Sequence, residues 1–130
     1  MTSLYKPTTL IAALLLAAAP AFAATMAKGE YSAEKDKIKA TYGMDKKACD
    51  GMSGNAKDVC HEEAKGKEKV ALADLEFRYT GKADDGTKLA KAKAEAVYEV
   101  AKERCDDQSG DAKKACVATA KQEYERARPN

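Results

Sequence analysis

A chain of 130 residues has room for one small domain or a pair of helical hairpins, which excludes large enzyme folds. From Ala24 onward only ten residues are Leu, Ile, Val or Phe, well below the roughly 20% that supports an ordinary hydrophobic core. Basic and acidic residues nearly balance, with a net charge of +2, so the composition predicts neither a self-repelling disordered chain nor a nucleic-acid binder.

The N-terminus has the pattern of a secretory signal peptide. Lys6 precedes an unbroken apolar run at 10–19, and Ala21-Phe22-Ala23 follows with small residues at the two positions that signal peptidases recognise. We expect cleavage after Ala23, removal of residues 1–23 and export to the bacterial periplasm. The apolar run is too short to cross a hydrocarbon core of ~30 Å, and we expect no stable membrane anchor after cleavage.

The rest of the chain contains a duplicated block. Residues 49–60 read CDGMSGNAKDVC and residues 105–116 read CDDQSGDAKKAC, so both match C-D-x-x-S-G-x-A-K-x-x-C at an offset of 56. The match continues on both sides of the block, with Tyr42 aligned to Tyr98 and Ala64 to Ala120. The duplication predicts hairpin repeat 1 at 24–79, a linker at 80–86 and hairpin repeat 2 at 87–130.

Each repeat is predicted to form two helices joined by a turn. Coiled-coil-like spacing marks one helical face in the first arm of each repeat: Tyr31, Ile38, Tyr42 and Cys49 in repeat 1, and Ala94, Tyr98, Ala101 and Cys105 in repeat 2. Glycine and serine interrupt the helix at 51–54 and 109–110, and Asn55 and Asp111 are predicted to cap the second arms. The expected fold is all-α, with two antiparallel helical hairpins that can pack as a four-helix bundle.

The four cysteines all lie in the duplicated block, and an even number in an exported protein predicts disulfides. Four cysteines allow three pairings, and the sequence alone cannot choose among them. One joins Cys49–Cys60 and Cys105–Cys116 within the repeats, and another joins Cys49–Cys116 and Cys60–Cys105 between them. The Gly-Ser breaks favour the local pairing, because they let the two arms of each hairpin fold back on one another. Ten intervening residues do not match the C-x₂₋₄-C spacing of structural zinc.

Catalytic motifs are not found in the sequence. His61 is the single histidine, and carboxylates alternate with lysines at the spacing of a solvated helical face. We therefore expect no enzyme, no cofactor and no metal site. The leading hypothesis is a structural, interaction or stress-protective protein that binds an envelope protein or itself. The alternative is a small-ligand or metal-binding protein that uses a cleft between the hairpins, with His61 and Glu62 as ligands.

The two cysteine blocks also carry a resemblance. Residues 49–60 and their second copy at 105–116 resemble the C-D-x-x-S-G-N-A-K-D-x-C segments of small exported Ala/Lys-rich proteobacterial proteins, which follow a signal peptide. Some members of that group are labelled as cell-envelope biogenesis proteins similar to TolA. The resemblance implies an exported helical protein of the cell envelope.

Overall fold

The computed structural model describes residues 26–129, which form four α-helices. Helix α1 spans Lys28–Cys49, α2 spans Gly54–Thr80, α3 spans Ala83–Arg104 and α4 spans Gly110–Ala127. A single 3₁₀ turn at Cys105–Asp107 lies between α3 and α4, and no strand occurs within 26–129. The predicted all-α fold of two helical hairpins is therefore confirmed. The predicted signal peptide at 1–23 lies outside the described residues.

The helices form where alanine, lysine and glutamate dominate, because these residues lose little entropy in a helix. Charges at the ends complement the helix dipole. Asp84 and Asp85 lie in the first turn of α3, and Lys102 and Arg104 lie in its last turn. None of the helices is long and apolar enough, within the part of the chain described, to cross a membrane.

Helices α2 and α4 begin in the same way. Ser53 and Ser109 have extended backbones, with φ of −138° and −135°, immediately before each helix. Gly54 and Gly110 then have a φ of +59°, a left-handed conformation that glycine adopts without steric cost. The duplicated Ser-Gly pair is therefore the point at which the chain turns into each second helix.

The predicted helix caps Asn55 and Asp111 are wrong. Ser53 and Ser109 occupy the cap positions, although neither donates or accepts a capping hydrogen bond through its side chain. The helices begin at Gly54 and Gly110, so Asn55 and Asp111 lie in the first turn, after the cap position. Asp111 pairs instead with Lys114, at 3.1 Å between Oδ1 and Nζ.

The connection between the repeats is shorter than the predicted linker at 80–86. Only Gly81 and Lys82 are non-helical, and Gly81 ends α2 with a φ of +64°. Thr80 donates a hydrogen bond through Oγ1 to Oδ2 of the buried Asp85, at 2.6 Å. Because this bond and the acidic first turn stabilise the start of α3, residues 83–86 join the helix.

The helices pack in chain order. The extensive contacts are α1 with α2, α2 with α3 and α3 with α4, and the α2–α3 pair is the largest. The buried core consists of two leucines, two cysteines and four alanines: Leu75, Leu89, Cys49, Cys105, Ala64, Ala92, Ala94 and Ala120. Such small residues let helices approach closely, but they bury little apolar area, as the composition predicts.

Aromatic pairs link the outer helices to their neighbours. The rings of Tyr31 and Tyr79 lie 4.5 Å apart between centroids, and those of Tyr98 and Tyr124 lie 5.2 Å apart. Tyr31 also donates a hydrogen bond to Oε2 of Glu76, at 2.6 Å. The tyrosines therefore supply contact area that aliphatic residues supply in ordinary helical domains.

The outward surface of α4 differs from the surface with which α2 packs on α3. Gly66 of α2 touches Ala96 of α3, whereas the position equivalent to Gly66 in α4 is Gln122, which is exposed. Val70 similarly corresponds to the exposed Arg126. At these two positions α4 therefore carries larger and more polar side chains than α2 does.

Candidate functional site

The cysteines pair within each hairpin, as the favoured prediction states. Cys49 bonds to Cys60 and Cys105 bonds to Cys116, with Cα–Cα distances of 5.6 Å and 5.7 Å. Each bond joins the end of one helix to the start of the next, beside the Gly-Ser turn. No free thiol remains among residues 26–129.

The ion pairs beside the turns are duplicated as well. Lys57 Nζ lies 3.6 Å from Oδ1 of Asp50, and at the equivalent positions Lys113 Nζ lies 3.0 Å from Oδ1 of Asp106. Exposed pairs of this kind contribute about 0–1 kcal/mol each. The disulfides therefore dominate the stability of both turns.

His61 and Glu62 do not converge on a common site. His61 Nε2 is buried, has no hydrogen-bond partner, and lies 4.0 Å from Oδ1 of Asp50. Glu62 turns instead to Lys65, which donates a hydrogen bond to it and whose pKa is raised by that bond. Within residues 26–129 no group of three or more His, Cys, Asp and Glu side chains could hold a metal ion.

Two grooves of similar size run along the two hairpins. The first hairpin groove lies between α1 and α2 with a volume of about 310 Å³, and the second hairpin groove lies between α3 and α4 with about 370 Å³. Each has ten lining residues, and every lining position of the first corresponds to one of the second at the offset of 56. Tyr42 and Tyr98 are one such pair, and Ala64 and Ala120 are another. Both grooves are therefore products of the duplication.

A third groove, the central groove, lies between α2 and α3. It has a volume of about 560 Å³, and three of its lining residues are Val70, Val97 and Val100. Gly66 and Ala96 also line it. The Val97 side chain is strongly exposed, with 66% of its residue surface accessible to solvent. An open apolar groove of this kind is characteristic of an interaction surface.

The three grooves adjoin one another. The central groove shares Lys67 and Ala71 with the first hairpin groove, and it shares Lys93 and Val97 with the second. They therefore form one continuous surface that spans all four helices, which we call the grooved face. Because helices pack in chain order, this surface is built from both repeats and exists only when the hairpins are docked together.

The opposite side of the α2–α3 pair is charged. It is lined by Lys65, Lys69, Glu95 and Glu99, among others, and Lys69 forms an ion pair with Glu95. Gly66 and Ala96 line both this side and the central groove. A single layer of small residues thus separates an apolar side from a charged one.

Charged residues border the apolar floor of the central groove. Two are acidic and two are basic: Glu63, Lys67, Asp74 and Lys93. Three of them pair within the chain, and Lys93 forms no ion pair with any of residues 26–129. On the first hairpin groove, Lys37 donates a hydrogen bond to Glu34 at 2.7 Å, which raises the pKa of Lys37 and lowers that of Glu34. The rim of the grooved face is therefore charged at neutral pH.

Sequence reasoning did not single out the central groove. No motif of the sequence includes Gly66, and Val97 has no equivalent valine in repeat 1, where Thr41 stands. The signal in the sequence is small: Val97 and Val100 are three residues apart, so they lie on one side of α3. Their alignment with Val70 follows only from the packing of α2 on α3.

Comparison with known proteins finds no matching family model and no significantly similar curated protein or solved structure.

Proposed function

We propose that the protein is a non-enzymatic interaction module of the bacterial periplasm that acts through its grooved face. The observation that carries this proposal is the continuity of three apolar grooves across all four helices. Apolar patches of this extent, bordered by charged residues, are typical of surfaces that bind another macromolecule. A structural or stress-protective role in the envelope is compatible with such binding.

Two further features support the location. The pattern of residues 1–23 is that of a signal peptide, and both cysteine pairs are disulfides, which persist in oxidising compartments such as the periplasm. The mature protein is then expected to begin at Ala24. Intact-mass measurement on a periplasmic extract, with and without reductant, tests both the cleavage site and the oxidation state.

The binding function is tested by site-specific photocrosslinking in living cells. A photoreactive amino acid is placed at Val97, in the central groove, and in a matched strain at Ala118, an exposed residue of α4 outside the three grooves. We expect a discrete crosslinked product from position 97 and none from position 118. Equal products from both positions, or no product from position 97, would show that the grooved face does not bind a macromolecule.

A further inference from the structure

The two hairpin grooves are equivalent in position but differ in charge. Five of the ten residues that line the first hairpin groove are charged, whereas the second has two, Lys93 and Glu123. Where the first groove has Glu68, the second has Tyr124, whose ring lies 5.2 Å from that of Tyr98 between centroids. The second hairpin groove is therefore the more apolar and the more aromatic of the two.

Lys93 of the second hairpin groove lacks the partner that its equivalent has. In the first hairpin groove Lys37 pairs with Glu34, at 2.7 Å between Nζ and Oε1. Ala90 stands at the position of Glu34 in the second groove, and Lys93 forms no ion pair with any of residues 26–129. The positive charge of Lys93 is therefore free to pair with a bound partner.

Glu123 lies on α4, on the other side of the same groove, and it lacks a partner for the same reason. Its equivalent is Lys67, whose Nζ lies 3.6 Å from Oδ2 of Asp45. Ala101 stands at the position of Asp45 in the second groove, and Glu123 forms no ion pair within the described part of the chain. The second hairpin groove is thus an apolar channel with one unpaired charge of each sign, positive on α3 and negative on α4.

Lys93 also borders the central groove, where three other charged residues lie. Each of these is already paired within the chain: Glu63 with Arg104, Lys67 with Asp45, and Asp74 with Arg78. By the contact of Gly66 with Ala96, Lys67 and Lys93 lie nearly level across the central groove. The surroundings of Lys93 are therefore positive, and they favour an acidic group on a partner.

We propose that the second hairpin groove binds an amphipathic helix of a partner protein, with an acidic residue on one flank of its apolar stripe and a basic residue on the other. The proposal rests on the proposed function, since it names the part of the grooved face that binds and the chemistry of its partner. The acidic residue pairs with Lys93, and the basic residue pairs with Glu123. Complementary charges of this kind select a partner and fix its register.

The positions of the two charges set their spacing on the partner helix. The disulfide between Cys105 and Cys116, with 5.7 Å between the Cα atoms, brings α3 and α4 level at one end. Lys93 precedes Cys105 by 12 residues and Glu123 follows Cys116 by 7, so Lys93 lies about 7 Å farther from the disulfide at 1.5 Å per residue. That distance is about one and a half helical turns, and residues so spaced lie on opposite flanks of a helix.

A helix suits this groove better than an extended segment or a small ligand does. Helices α3 and α4 present no strand edge, so an extended segment would place its unpaired backbone N–H and C=O groups against apolar side chains. A helix satisfies these groups internally and can lie in the groove between two others. The groove is open to solvent, with Val97 66% exposed at its edge, whereas small-molecule sites bury most of their ligand.

The test is the binding of designed helical peptides to the mature protein with both disulfides formed. Each labelled probe has about 16 residues and an apolar stripe of alanine and leucine, with two flanking positions about one and a half turns apart. The flanking positions hold Glu and Lys, two Glu, two Lys or two Gln, and fluorescence anisotropy measures each dissociation constant. We expect the Glu–Lys probe to bind at least about fourfold more tightly than the Gln–Gln probe, since an exposed ion pair contributes about two- to fivefold.

Charge reversals read the two positions separately. Lys93→Glu leaves two acidic residues at the groove, so the Lys–Lys probe is expected to become the tightest binder. Glu123→Lys is expected to make the Glu–Glu probe the tightest binder, for the converse reason. Lys121→Glu and Glu125→Lys make the same changes in net charge on the outer side of α4, and they are expected to leave the order of the four probes unchanged. Circular dichroism confirms that each variant keeps the helical content of the parent protein.

Three outcomes would overturn the inference. Equal affinity of the parent protein for all four probes, or an unchanged order in the Lys93→Glu and Glu123→Lys variants, would show that these charges do not select the partner. No binding of any probe at about 1 mM, the weakest affinity of interest, would show that the groove does not hold a helix. Laurate that binds more tightly than the Glu–Lys probe and displaces it would assign the groove to a small amphiphile instead.

Crosslinking in cells separates this inference from the proposed function. Ala90 lines only the second hairpin groove and Thr41 only the first, so a photoreactive amino acid at each position compares the two grooves. We expect a product from position 90 and none from position 41. A product from Val97 together with equal products from positions 90 and 41 would overturn the choice of groove and leave the interaction function standing. No product from positions 97 and 90 would contradict both.

Discussion

A β-carbon added to Gly66 would lie 3.0 Å from the Cβ of Ala96, closer than side chains in neighbouring helices normally approach. Glycine at this position therefore lets α2 and α3 pack closely in the middle of the molecule. The same pair separates the central groove from the charged side of the two helices. The distance between Gly66 and Ala96 thus sets both the docking of the two repeats and the depth of the groove.

Gly66→Leu is expected to destabilise the protein. A leucine would raise helix propensity by up to ~1 kcal/mol relative to glycine, but it would force α2 away from α3, and overpacking of this kind costs about 1–3 kcal/mol. Guanidinium denaturation measures the net loss. Adding Ala96→Gly is expected to recover part of it, because that change makes room on α3.

Gly43→Ala is the matched control for this prediction. Gly43 also lies inside a helix, but nothing lies within 4 Å of a β-carbon added there. Alanine is therefore expected to stabilise α1 by about 0.5–1 kcal/mol. Equal gains from Gly66→Leu and Gly43→Ala would show that close packing at Ala96 does not constrain the protein.

Loss of either disulfide is expected to lower stability substantially. The two bonds close loops of the same size, with a sequence separation of 11 between the cysteines joined, so their contributions are expected to be similar. The chain-entropy model puts each at about 3 kcal/mol, a large share of the stability of a small domain. Replacing Cys49 and Cys60 by alanine, or Cys105 and Cys116, and measuring denaturation midpoints checks this.

Reductant provides the control for the disulfide prediction. It should lower the midpoint of the parent protein and leave a variant without cysteines unaffected. If thiol titration shows four free thiols while the midpoint of the parent protein does not change, the disulfides do not stabilise the fold.

Asp85 is expected to make stability depend on pH in acid. Hydrogen bonds from Lys88 and Thr80 hold the pKa of this buried carboxyl below its ordinary value of 3.8. Because the folded state binds this proton less readily than the unfolded state, the contribution is present above about pH 4. It is lost as the pH falls through the lowered pKa. Urea denaturation between pH 2 and pH 7 measures the profile.

The exposed Asp84 supplies the comparison, since it lies in the same first turn of α3. Asp85→Asn should lower the free energy of unfolding at neutral pH and reduce its further loss in acid. Asp84→Asn should change these two quantities only slightly. Identical profiles for the two variants would mean that the effect comes from the helix dipole and not from the bonds to Lys88 and Thr80.

Tyr31 is expected to hold the N-terminal part of α1 on α2. Its hydrogen bond to Glu76 raises the pKa of the phenol above its ordinary value of 10.0. The protonated phenol is therefore favoured in the folded state, and its contribution is lost as the pH rises through the raised pKa. Tyr31→Phe should speed amide hydrogen exchange at the start of α1 and remove a late-titrating tyrosine from the ultraviolet absorbance titration.

Tyr42→Phe is the control for the exchange measurement, because the Tyr42 hydroxyl makes no side-chain hydrogen bond within residues 26–129. It should leave amide hydrogen exchange at the start of α1 unchanged. If both variants had the same effect, the bond between Tyr31 and Glu76 would not hold α1 in place.

Local features account for what could be predicted. The breaks between the helices follow from Gly and Ser beside the cysteines. The preference for pairing Cys49 with Cys60 follows from the turn between them, which brings the start of α2 beside the end of α1. The helix caps were missed because Gly54 can adopt a positive φ, which moves the entry to α2 by one or two residues. The predicted linker is too long, because residues 83–86 belong to α3. The hydrogen bond from Thr80 to Asp85 that stabilises the start of α3 forms only when α2 and α3 are antiparallel.

Four helices, their order and the duplicated turns follow from the sequence alone, and the local cysteine pairs are favoured by it, because each of these depends on residues within about a dozen positions of one another. Which helical faces meet depends on the packing of distant residues and on no local pattern. Gly66 and Ala96 are 30 positions apart, and no periodicity within either helix indicates that they touch. Their contact docks the repeats, aligns Val70 with Val97 and Val100, and joins three grooves into one face. An interaction surface built from two repeats is a long-range property, so it appears only when both are folded together.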